Sequence, residues 1–145
     1  MTDGALALPR SVAGALLAHA RAELPNEACA LLAGSLATRR VTTMHVARNS
    51  EASPLRYNVH PEDLVRITFA IDEAGEDLVA IFHSHTRSPA VPSATDRRAA
   101  MYPDAFYLLA TLADPSAGPE EALRAWRIRD GLSVEVPLAI VTGVT

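Results

Sequence analysis

The 145-residue chain contains no lysine; all 13 basic residues are arginines. No side-chain amine is therefore available to carry an isopeptide, although the bias itself reads most simply as a GC-rich genome. There is one cysteine, Cys29. A single cysteine cannot close an internal disulfide, which favours a reducing compartment and a cytoplasmic location. Aromatic residues are only 5% of the chain and the net charge is −4. With neither a basic excess nor aromatics interleaved among cations, nothing supports nucleic-acid binding. No apolar run approaches the roughly 18 residues that cross a membrane. Ala18-His19-Ala20, after the mildly apolar residues 11–17, has the form of a signal-peptide cleavage site. Pro9-Arg10 interrupts that stretch, however, and Val12, Leu16 and Leu17 recur at helical spacing, so a first helix is expected instead. Repeats, low-complexity tracts and linkers are absent. What remains, 49% apolar and 21% charged residues, suits a globular chain with one domain over residues 1–145.

Periodicity and turn residues predict the elements. Residues 9–23 read as an amphipathic helix stopped by Pro25, with Leu24 continuing the spacing of Leu17. Residues 27–33 form a buried strand ended by Gly34, and 40–46 a second strand. A polar turn at 49–55 leads to a short strand at 57–59. Residues 61–74 read as a helix: Pro61 opens it, Glu62 and Asp63 occupy its first turn, and Gly75 closes it. Leu64, Ile67, Phe69 and Ile71 supply its apolar side. Residues 77–85 are the central strand, 87–92 a loop with two prolines, and 93–101 a helix. Then come a buried strand (105–113), a turn (114–120), a hairpin (122–129 with 132–137) around Asp130-Gly131, and a final strand or edge (138–144). The sum is an α+β fold, a mixed sheet flanked by helices.

The chemistry concentrates in residues 82–96. His83 and His85, one residue apart on an apolar strand, share one face. A lone strand histidine is usually structural. Two side by side are costly to bury without a partner, and a metal removes that cost. Ser93-x-x-Asp96 after Pro92 is by itself a capping-box sequence, and a helix capped this way can still carry Asp96 to a metal. Two imidazoles and one carboxylate make three ligands for a zinc whose fourth position stays open for water. Zinc hydrolysis also needs a carboxylate beside the metal, and Glu27 would stand at a strand end facing the cleft. His19, His45 and His60 lack ligand spacing and read as surface or structural residues. Cys29 shares Glu27's face by alternation, but a buried structural thiol is the better expectation than a reactive one.

The pattern His83-x-His85, seven residues, Ser93-x-x-Asp96, with Glu27 upstream in Pro25-Asn26-Glu27-Ala28-Cys29, resembles the JAMM (MPN+) metalloprotease signature. The likeness also takes in Asn49-x-x-x-Ser53-Pro54 and the run from Trp126 to Gly131, and it is greatest to small, stand-alone bacterial members. The resemblance implies a single JAMM/MPN-like, cytidine-deaminase-like domain. It implies one Zn2+ per chain on His83, His85 and Asp96, with Glu27 as acid/base and Ser93 stabilising the oxyanion. It also implies hydrolysis after the C-terminal Gly-Gly of a ubiquitin-like sulfur-carrier protein, releasing an amino acid such as cysteine in cysteine biosynthesis. Other readings are a zinc peptidase on another small amide or a deubiquitinase-like substrate, and a non-catalytic zinc-stabilised scaffold. The five intact residues speak against the scaffold. A homodimer stays open. Asn49, Ser53 and Tyr57 are turn formers, and substrate-groove residues only by resemblance. Ala30 stands where relatives commonly have glycine and is expected to narrow the space near the site. The short link from His85 to Ser93 suggests a shallow site on a sheet edge. Such a site would admit an extended tail by strand addition, with glycines allowing close approach.

Overall fold

The fold is given by a computed structural model that describes residues 4–142. In chain order its elements are β1 (Leu6–Pro9), α1 (Arg10–Glu23), β2 (Cys29–Ser35), β3 (Arg40–Ala47), α2 (Pro61–Glu73), β4 (Asp77–His85), α3 (Ala94–Ala99), β5 (Phe106–Thr111), α4 (Pro119–Ala122), β6 (Leu123–Arg129), β7 (Leu132–Val136) and β8 (Leu138–Val141). The strands make one mixed sheet in the order β7-β6-β5-β4-β2-β3-β1-β8. This is the expected α+β architecture.

β4 is central, antiparallel to β2 and parallel to β5. Its backbone is paired on both sides, so a site at its C-terminal end does not lie on a sheet edge. The expectation of strand addition at such an edge is therefore overturned.

β7 and β8 stand at opposite ends of the sheet order, yet only Pro137 separates them in sequence. Two residues reach at most about 7 Å, so the sheet curls until its borders meet at that point. The Leu6 N–H donates to Pro137 O at 2.9 Å there. The curl wraps around α1. Ala13, Leu16, Leu17 and Ala20 of that helix share one core with side chains from all eight strands, among them Leu8, Leu32, Phe82, Leu108 and Ile140. On the opposite face, Ile67 and Ile71 of α2 pack over Leu31, Ile81, Tyr107 and Leu109. Alternation along β4 puts His83 and His85 on this second face, with Ile81.

Several expectations need correction. The first helix starts at Arg10, because Pro9 ends the short strand β1, whose Leu6 and Leu8 are fully buried. Leu24 is 46% exposed and does not extend the helix's apolar side. β2 starts after Glu27 and runs through Gly34 instead of ending there. A bulge shifts the register so that Ala33 faces Thr43 and Gly34 faces Val41. A Cβ at Gly34 would stand 2.0 Å from Arg40 O, so glycine is needed for close backbone approach and not as a stop. Residues 57–59 are not a strand; Val59 makes a single bridge to Asn49. Phe69 is 67% exposed, because the buried stripe of α2 runs through 67 and 71 with Leu64 beside it. α3 stops at Ala99, and the expected turn at 114–120 contains the start of α4. β8 ends at Val141, and residues 143–144 of the expected last strand lie outside the described residues. The hairpin is as expected: Asp130 and Gly131 have φ of 53° and 75°, the signature of a tight two-residue turn.

Candidate active site

β4 delivers two imidazoles and the first turn of α3 delivers a carboxylate. His83 Nε2 lies 3.1 Å and His85 Nε2 3.0 Å from the same oxygen, Asp96 Oδ2. The candidate ligand atoms of the three residues all lie within 4.8 Å of one another. The capping box forms as well. The Ser93 N–H donates to Asp96 Oδ2 at 2.9 Å, and the Asp96 N–H donates to Ser93 Oγ at 3.0 Å. Both readings of this sequence therefore hold together, because the cap is what holds the carboxylate between the histidines. Ser93 Oγ acts as an acceptor here, which leaves its own O–H free to donate.

The surroundings orient the two histidines differently. His85 Nδ1 donates to Pro89 O at 2.7 Å, which turns Nε2 toward Asp96. Pro89 sits in a loop held from the sheet: Trp126 Nε1 donates to Ala90 O at 2.9 Å and Thr111 Oγ1 donates to Ser88 O at 2.7 Å. His83 is fully buried. The Tyr57 ring stacks on it, with centroids 4.3 Å apart and planes 17° apart.

Glu27 is buried just before β2. Its backbone is fixed on both sides: its N–H donates to Ser53 O at 2.8 Å, and its carbonyl accepts from Asn49 Nδ2 at 3.1 Å. Asn49 also organises the loop beyond, since its Oδ1 accepts from the N–H groups of Glu51 and Asn58, each at 3.0 Å. Ala28 N–H donates to Ser84 Oγ at 2.8 Å, tying this segment to β4 between the two histidines.

Charge and burial then set the protonation. Burial raises the Glu27 carboxyl to about 7, with His85 opposing the rise and Asp96 adding to it. Burial likewise holds His83 below the ordinary histidine value. For Asp96, burial pushes upward, but the hydrogen bonds from His83 and His85 outweigh it and hold the carboxyl well below the usual range. For His85, burial pushes downward, and hydrogen bonds to Asp96 and Pro89 leave it raised.

The donor set fits a metal. Two imidazole nitrogens and one carboxylate oxygen converge, a combination that suits zinc with a position left for water. Among the described residues, the buried Glu27 Oε1 has no hydrogen-bond partner. It is the kind of acceptor that a water held at such a centre would satisfy.

The other sequence candidates fall outside this group. Cys29 pairs with His83 across the sheet, but its thiol donates to Arg48 O at 3.5 Å and burial pushes it up to about 12. It is a structural thiol. Ala30 points into the α1 core, so its methyl does not narrow the site. His19 Nε2 lies 3.1 Å from Cys29 O, and His60 caps α2 by accepting from the Glu62 N–H, so both are structural as expected. Sequence reasoning missed what Pro89, Tyr57 and Trp126 do. Only Trp126 left a signal, as a large residue with an N–H to satisfy inside a motif stretch.

Comparison with known proteins shows the family. Residues 9–129 match the family of prokaryotic homologs of the JAB domain. The CysO-cysteine peptidase of Mycobacterium tuberculosis is 37% identical over 136 residues, covering 94% of this chain and 91% of that protein. The desampylase of Haloferax volcanii is 41% identical over 114 residues, covering 75% and 82%. A protein of Desulfitobacterium hafniense, known from its solution structure, superposes with a TM-score of 0.83 at 30% identity, covering 94% and 92% of the two chains. A JAB1/MPN domain protein from Archaeoglobus fulgidus shares the fold, with a TM-score of 0.57 at 19% identity and coverage of 91% and 97%. The chain belongs to the family of prokaryotic homologs of the JAB domain and has the JAB1/MPN fold. No helix among the described residues is long and apolar enough to cross a membrane.

Proposed function

We propose that residues 1–145 act as one zinc-dependent JAMM peptidase domain. The substrate is a ubiquitin-like sulfur-carrier protein, cut at the amide after its C-terminal Gly-Gly to release an amino acid such as cysteine. The observation that carries this reading is the convergence of His83, His85 and Asp96 beside the buried, unpartnered Glu27 Oε1. Likeness to a CysO-cysteine peptidase and a desampylase supports the choice of substrate.

In this reading His83, His85 and Asp96 would hold one Zn2+, which would supply Lewis-acid polarisation of a water and of the scissile carbonyl. Glu27 accepts the water's proton at its free oxygen and passes it to the departing amine. Burial, which raises this carboxyl in the metal-free chain, favours its taking up the proton. The Ser93 O–H donates to the developing oxyanion, held in place by the cap it forms with Asp96. The loops over the strand ends receive the tail, since β2 and β4 have no free edge. Glycines let its backbone come close to the site. A cytoplasmic setting fits a chain whose one cysteine is free.

The test is to incubate the zinc-loaded protein with a carrier ending in Gly-Gly-Cys, and with a matched Ala-Ala tail, and to follow release by mass spectrometry. Selective release of cysteine from the glycine tail is expected. Equal turnover of both tails, or of neither with zinc bound, would overturn the reading. The desampylase likeness supports a second reading, cleavage of a carrier joined by an amide bond to another protein. A lysine-linked conjugate in the same assay separates the two.

A further inference from the structure

We propose that Tyr57 is a positioning residue for His83, its ring doing for that histidine what a hydrogen bond does for His85. The inference rests on the metal-site reading above.

A histidine that binds a metal through Nε2 needs its ring plane fixed, and the usual device is an acceptor for the other nitrogen. His85 has one in Pro89 O. His83 does not: among the described residues its Nδ1 is buried without a hydrogen-bond partner. Packing must therefore set the plane. One side of the His83 ring carries the near-parallel Tyr57 ring, and the His85 ring meets it edge-on, with centroids 5.1 Å apart at 61°.

Tyr57 is itself well placed to act as a wall. The residue after it, Asn58, is tied through its N–H to Asn49 Oδ1, and Asn49 also holds the Glu27 carbonyl. The same side-chain amide thus sets both the wall and the proposed acid/base. Away from His83, Tyr57 borders a largely apolar cavity of about 120 Å3 with Leu31, Leu64, Ile81 and Met101.

The chemistry adds a preference for the loaded site. An imidazole bound to a dication is drained of electron density, and the face of a phenol ring is negative. Their attraction is therefore stronger with metal bound than without, so the stack raises affinity as well as fixing the plane. The ring supplies this effect and the hydroxyl does not. Phenylalanine should replace tyrosine, while an aliphatic side chain of similar reach should not.

Zinc and cobalt(II) affinities are measured by competition with a chromogenic chelator, and the cobalt(II) absorption spectrum reports ligand geometry. Tyr57→Phe is expected to match the wild type in both. Tyr57→Leu is expected to bind roughly tenfold or more weakly, with an altered cobalt spectrum. If the leucine chain does not fold, Tyr57→Met, which fills the space without a π face, decides on the same two readouts. A leucine or methionine variant with wild-type affinity and spectrum overturns the proposal. So does a phenylalanine variant as weak as either of them. Wild-type protein that binds neither ion overturns the metal site, and the proposal with it. Wild-type protein that binds, matched by its aliphatic variants, overturns the role of Tyr57 alone.

Discussion

Glu27 is the residue whose surroundings say most about the chemistry. It is buried, one of its oxygens has no hydrogen-bond partner among the described residues, and it stands beside the candidate metal group without belonging to it. Glu27→Gln should therefore keep the metal and lose roughly a hundredfold or more in rate, the usual scale for a general base. Metal analysis and steady-state kinetics on the same sample check both halves. The raised carboxyl has a stability consequence with a definite sign. Its ionised form is penalised in the folded chain, so the penalty is absent below about 4.5, grows toward 7 and is constant above. Thermal unfolding of the metal-free protein should show Glu27→Gln gaining on the wild type as pH rises through that window. Ser93→Ala should cost about 1 kcal/mol as a lost cap and slow turnover by roughly 10²–10³ as a lost oxyanion donor. Ser93→Asp keeps the cap but cannot donate when ionised. It should be stable and slow, and full activity in that variant would remove Ser93 from the chemistry. These residues were legible in sequence because strand alternation and a helix start fix where His83, His85 and Asp96 point. Tyr57 and Pro89 were not, since they reach the histidines through loop geometry that no spacing encodes. Ala30 could have been read correctly, because the alternation that joins Glu27 to Cys29 places Ala30 on the other face.

Among the elements, α2 shows how the second face is held. Asp63 in its first turn accepts from the Arg48 backbone N–H at 2.7 Å and from Arg48 Nε at 3.0 Å, binding the helix to the end of β3. The Arg48 hydrogen bonds hold the Asp63 carboxyl well below the usual carboxylate range. A depressed carboxyl stabilises the fold above its ordinary value and loses that contribution as pH falls. Asp63→Asn should therefore cost about 1–2 kcal/mol near neutrality, since Arg48 itself stays in water. The deficit should shrink as pH falls below about 3.8, and denaturant titration at two pH values reads it. Long periodic elements such as α1, α2 and β4 were legible, and so was the Asp130-Gly131 hairpin. β1 and α4 are four residues each, too short for a period to register. Gly34 misled because a glycine that permits close approach looks the same in sequence as one that ends a strand.

At the scale of the molecule, the candidate metal group and the α1 core lie on opposite faces of the sheet. Removing metal should therefore leave the core intact. Chelator-treated protein should keep its far-ultraviolet circular dichroism and melt cooperatively at a lower temperature, the drop growing with metal affinity and concentration. Loss of secondary structure on chelation would mean that the metal group supports the whole fold. The α+β class was legible from alternating patterns, but the strand order was not. The parallel pairing of β4 with β5, and of β1 with β8, joins segments far apart in sequence, and local signals do not choose among such pairings.

The meeting of the sheet's borders at Pro137 has a consequence for how the chain is made. Leu6 pairs with Leu138 and Pro9 with Val141, so β1 leaves the ribosome about 130 residues before the strand it pairs with. Until β8 emerges, β1 has one flank open and the core around α1 lacks Leu138 and Ile140. A chain made only as far as Pro137 holds both neighbours of β4, β2 and β5, but not the strand that completes the wrap behind it. An open strand flank is a template for pairing with other chains. The closure that hides this flank in the finished fold is thus missing during synthesis, when β1 is most open to other chains.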